Sequence, residues 1–166
     1  MNTINKLVVV FIIASMFSSC NSNPTNDLNK ANPIEDSNYI LIADTIINDV
    51  VIKNPDKDEW TDYCLRNLDK NNLVNELFEL VYSGKLVPYN FFHDTPMTIK
   101  EVKEIENEPN YSRDNVAKVQ FEESWNFDSN NQKMMKKVHS IMIAYELYTS
   151  EGKVKGYKPI FKVYFN

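Results

Sequence analysis

Glycine is scarce in this chain, with three in 166 residues, and cysteine scarcer still, with two. So little glycine leaves no Gly-rich loop to cradle a phosphate and no Gly-x-Ser-x-Gly elbow to present a serine nucleophile. No C-x-x-C pair occurs, which excludes thioredoxin-type redox chemistry and a ribbon-type zinc site. The two histidines, His93 and His139, lack the H-x-H or H-x-x-x-H spacing of paired metal ligands. Basic charge is also in deficit, 18 Lys and Arg against 23 Asp and Glu for a net charge of −5. Nucleic acid wants a basic face, and an overall acidic chain is not drawn to anionic lipid by charge alone. No apolar run reaches the ~20 residues that cross a bilayer.

What is present begins with an export segment. Lys6 supplies the positive start, and residues 7 to 17 (LVVVFIIASMF) form an apolar stretch too short to span. Phe17-Ser18-Ser19-Cys20 follows, small residues directly before a cysteine, and resembles the lipobox of bacterial lipoproteins. Residues 1–19 are therefore expected to be a lipoprotein signal peptide, with Cys20 as the acylated N-terminus. Removing them takes Lys6 and no acid, so the net charge moves from −5 to −6. Residues 20–38 are rich in Asn, Asp, Ser and Pro and bury too little apolar surface to order themselves; they read as a flexible tether. The remaining length, 39–166, suits one domain. No Asp follows Cys20, which points to the outer membrane, with the domain facing the periplasm.

Along that domain, the β-branched stretch 39 to 52 reads as one or two short strands. From Asp56 the period turns helical: Trp60, Tyr63, Cys64 and Leu68 share one face, which predicts a packed helix and a packed Cys64 thiol. A second helix is expected over 71 to 83, with Leu73, Leu77, Leu80 and Val81 on its stripe, Val74 and Phe78 beside it, and Gly84 just beyond its end. Residues 86 to 92 read as an extended piece that Pro88 confines to an edge. Thr95 or Thr98 caps a short helix carrying Ile99, Val102 and Ile105. Three strands close the chain, at 119 to 127, 138 to 148 and 159 to 165, joined by short polar turns. The class is α+β: N-terminal helices packed on a C-terminal antiparallel meander of three or four strands.

Candidate chemistry is thin. Glu122 and Glu123 fall on opposite faces of one strand and cannot form a close acid/base pair. His139 shares its face with Ile141, Ile143 and Tyr145, as a core or edge histidine does. Trp125 and Phe127 alternate with polar neighbours and read as core. Tyr157, Phe161, Tyr164 and Phe165 are the candidate partner contacts, because both faces of the last strand are largely apolar; burial inside the domain is the competing reading. That terminal strand is also a candidate open edge for strand addition. No catalytic set, cofactor site or metal site is assigned.

Two blocks carry a family likeness. LFELVYSGKLVPYNFFHDTPMTIKEV (77 to 102) joins a helix ending in Gly-Lys to a Pro-Tyr extended piece and a Met-Thr helix start. FEESWNFDSNNQKMMKKVHSIMIAYELY with GYKPIFKVYF (121 to 165) sets an aromatic strand, a polar hairpin, an apolar strand and a closing aromatic strand in order. In order and spacing they resemble the GldN/PorN family of gliding motility and type IX secretion. The resemblance implies a non-catalytic envelope scaffold or assembly subunit, with a ring lipoprotein or motor subunit as its protein partner. The alternative is a stand-alone periplasmic or surface lipoprotein that captures a ligand or inhibits an enzyme.

Overall fold

A computed structural model describes residues 39–166; the expected signal peptide, Cys20 and the tether lie outside them. Four strands, β1 (Tyr39–Val51), β2 (Val116–Asp128), β3 (Lys133–Tyr148) and β4 (Val154–Tyr164), form one antiparallel sheet in the order β1-β2-β3-β4. Three helices intervene between β1 and β2: α1 (Glu59–Leu65), α2 (Lys70–Tyr82) and α3 (Ile99–Glu106). The expected α+β class and antiparallel meander are present, but the helices do not precede all the strands. The β-branched run at the start of the domain is a full edge strand. Its side chains alternate well enough to pair with β2 across two register shifts.

Cross-strand rows explain where the core sits. Val50, Val119, Ile143 and Phe161 lie side by side across all four strands, and Phe121, Ile141 and Val163 form the next row. Period-2 alternation points both rows to one face. Onto that face α2 presents Val74, Leu77, Phe78 and Val81, and α3 presents Val102, all buried. Phe78 meets Phe161 edge to face at 5.1 Å, and the Arg113 guanidinium sits 4.1 Å from the Phe78 ring centroid.

Local chemistry sets the helix ends. Asp69 accepts from the Asn72 amide to start α2, and Gly84 (φ +73°) continues the chain after it, a conformation costly for a side-chain-bearing residue. Thr98, one of the two expected caps, forms a full capping box with Glu101. α1 departs from expectation. Asp58 caps it, yet none of its residues is buried, and Trp60, Tyr63, Cys64 and Leu68 all face solvent. The helical period is real, but the sheet face it would pack on is already covered by α2 and α3. Cys64 is therefore an exposed thiol, not a packed one.

Beyond the helices the sheet continues. β4 ends opposite Ser140, where the Phe165 amide donates to the His139 carbonyl, so among the described residues the outer side of β3 over Lys133–Val138 carries no strand. The first half of β1, the end of β2 and the start of β3 thus project as a three-stranded blade. At its tip the Asp128 carboxylate accepts from the Asn130 and Asn131 amides and from the Asn131 side chain, closing the β2–β3 turn.

Candidate functional site

Several part-buried ionisable side chains of this domain pair across elements. In a cleft of about 570 Å³ between residues 53–57 and the β3–β4 turn, Lys53 donates to Glu146 Oε2 at 2.6 Å and to the Tyr148 hydroxyl at 3.1 Å. Burial alone would lower the Lys53 ammonium, but those hydrogen bonds to Glu146 and Tyr148 outweigh it and hold the group above its usual range. A lysine held charged does not serve as a base. Glu146 is buried, and its second oxygen, Oε1, has no partner. It is also closed to solvent, so nothing in the cleft reaches it.

On the sheet face away from the helices, Lys162 reaches Glu122 at 3.1 Å and donates to the Tyr164 hydroxyl at 2.7 Å; that hydroxyl donates to Asp94 at 2.6 Å. Ser140 donates to Glu122 as well. Tyr89 exchanges two backbone hydrogen bonds with Lys162 and stands edge to face with Tyr164. This cluster fastens the loop after α2 along β4, so the terminal strand is not open at that point. The loop is the extended piece foreseen at an edge.

Among the described residues, no three His, Cys, Asp or Glu side chains converge as metal ligands. Glu122 and Glu123 point to opposite faces: Glu123 accepts from the Trp125 indole at 2.9 Å and sits 3.6 Å from Lys136. His139 does not keep the row of Ile141. A register shift pairs Ser140 with Glu122 and Val138 with Glu123, leaving His139 out of the ladder with its ring 2.8 Å from Ser124 Oγ. Such a bulge turns one side chain away from its period-2 position.

The four candidate contact residues divide. Phe161 is in the core against Phe78. Tyr157 is half-buried opposite Glu146, with Lys118 5.5 Å from its ring centroid. Tyr164 is engaged with Asp94, and Phe165 packs partly on the core. No shared patch gathers all four.

Larger apolar exposure lies elsewhere, at two places the pattern of residues did not single out. On α1, Trp60 is 71 % exposed and stacks on Tyr63 at 5.7 Å, with the Arg66 guanidinium 3.8 Å from the Tyr63 centroid. Aromatics and Arg are the side chains that dominate protein–protein contacts. On the blade, Ile40 is 53 % exposed, Leu41 57 % and Met134 48 %, with Tyr39, Ile42 and Met135 also open. β1 leaves the tip and runs 13 residues to the other end of the sheet before α1 begins. At ~3.3 Å per residue the tip and the end of β1 near α1 are about 40 Å apart.

Residues 37–166 match the model of a family described as gliding motility associated protein GldN. No curated protein matches the chain.

Proposed function

Because this chain belongs to the GldN family of gliding-motility-associated proteins, we propose that it is a non-catalytic scaffold or assembly subunit of the bacterial cell envelope, acting in gliding motility and type IX secretion. Acylation of Cys20 holds it to the outer membrane with the domain in the periplasm, and residues 20–38 serve as the tether. One observation carries the scaffold reading: the part-buried ionisable groups around Lys53 and Lys162 fasten segments of the domain together, whereas the aromatic face of α1 is exposed. A surface of Trp60, Tyr63 and Arg66 on a capped helix offers a protein partner large apolar area at little ordering cost. Tyr157, Tyr164 and Phe165 remain secondary contacts at the sheet, with Phe161 acting through the core beneath them.

Crosslinking in the native envelope followed by mass spectrometry tests this. The expected product joins the α1 face to another envelope protein, and Trp60→Ala with Tyr63→Ala removes it without lowering the melting temperature. A chain that yields no envelope crosslink, or one whose crosslink ignores α1, counts against the proposal.

A further inference from the structure

The blade has an unusual distribution of apolar surface. Register places Ile40, Phe127 and Met134 on one of its faces and Leu41 and Met135 on the other. The helices cover neither face there. A protein docking flat on the sheet would dry one face and leave the second wet. A medium that surrounds the end of the blade dries both, and lipid headgroups with their adjoining acyl chains are such a medium.

Connectivity points to the same end. Tyr39 is the tip residue of β1, paired with Asp128 at the hairpin. From it the chain continues back through 18 residues to Cys20. On the lipoprotein reading, a flexible tether of that length would span about 25 Å, and an acylated Cys20 would then hold the blade tip, rather than α1, beside the bilayer. Charge is arranged to suit. Lys133 and Lys137 are exposed and Lys136 half so, while the nearby acids turn inward: Asp128 is buried capping the turn and Glu123 is buried against Trp125. Asp44, the exposed acid of the blade, lies about 16 Å back along β1. With the whole chain acidic, apolar contact supplies the attraction and the lysines sit at headgroup level.

We propose that the blade tip is a membrane-docking element that seats in the interfacial layer of the bilayer carrying the lipid anchor. Depth is limited to that layer. The polar turn at Ser129–Gln132 and the unpaired backbone groups of Lys133–Val138 need water or headgroups, which the hydrocarbon centre lacks. Docking fixes the domain upright, with Trp60 and Tyr63 turned toward the aqueous side. The orientation rests on the lipoprotein reading given above; affinity of the tip for lipid does not.

The test uses the full processed chain in vesicles of phosphatidylethanolamine and phosphatidylglycerol. One nitroxide label is placed on native Cys64, and another on Met134→Cys in a Cys64→Ser background. The expected result is a label at 134 relaxed more by oxygen than by a water-soluble nickel complex, and a label at 64 relaxed chiefly by nickel. Replacing Lys133, Lys136 and Lys137 by Glu together with Met135→Asp should return position 134 to aqueous behaviour. Equal nickel access at 134 and 64 overturns the proposal. Shielding of 134 from both reagents also overturns it, since that signals a protein partner. Acylation is scored separately from the mass of the Cys20 peptide. An unacylated chain whose 134 label still partitions sinks the anchor and keeps the docking element, while an acylated chain with an aqueous tip does the reverse.

Discussion

The covered half of the sheet and the blade share strands β1, β2 and β3, with β4 added only in the covered half, yet they have opposite environments. Ile143 and Phe161 are sealed under α2 and α3, whereas Ile40 and Met134, carried by the same ladder further along, stand in the open. Both are paired antiparallel strands rich in β-formers. What differs is the second layer, which ends where the helices end, and a strand pairs whether or not anything covers its face. A β-strand read from its pattern therefore reveals which side chains share a face, not whether that face is dry.

The sharpest way to break the contrast is Phe78→Ala. It removes a fully buried ring between Phe161 and Arg113 and should cost about 3–5 kcal/mol in chemical denaturation. Next comes Lys53→Met, which leaves Glu146 buried without its ammonium. Lys53 is partly solvated, so the expected loss is about 2 kcal/mol, below that of a fully enclosed pair. Thr98→Ala dissolves the capping box of α3 and should lower stability by about 1 kcal/mol, again seen in the denaturation midpoint.

A smaller effect concerns acid. Hydrogen bonds from Lys158 and then Tyr145 hold the Glu108 carboxyl below its usual range. A depressed native value adds stability above the ordinary Glu value of ~4.3 and loses it as pH falls through the native one. Glu108→Gln should flatten the pH dependence in that acidic window, by under about 1 kcal/mol because the pair is partly exposed. The smallest change is expected on the blade, where Met134→Ser should shift stability by no more than ~0.5 kcal/mol. Amide exchange sharpens the same comparison: Ile141 to Tyr145 should be protected near the global limit, and Ile40 to Ile42 far less.

Much of the covered half was legible in the residues. The stripe of α2, the Thr98 cap, Gly84 after the helix and the three closing strands each rest on short-range chemistry that neighbours in sequence decide. The candidate site was less legible. Trp60, Tyr63 and Cys64 have the spacing of a buried face, and nothing local records that other helices already occupy the sheet. His139 alternates correctly with Ile141 until a one-residue shift, fixed by pairing with β2, moves it. Tyr157, Phe161 and Tyr164 lie on β4 and Phe165 directly follows it, yet the sheet sends them to separate surroundings.

By itself the sequence determined the element types, the antiparallel meander and the membership of the GldN family, because periodicity, capping and block order are properties of neighbouring residues. Only the tertiary structure decided which apolar faces are covered. Burial depends on how far a distant helix layer extends over a strand, and here it stops short of the blade, with α1 outside it.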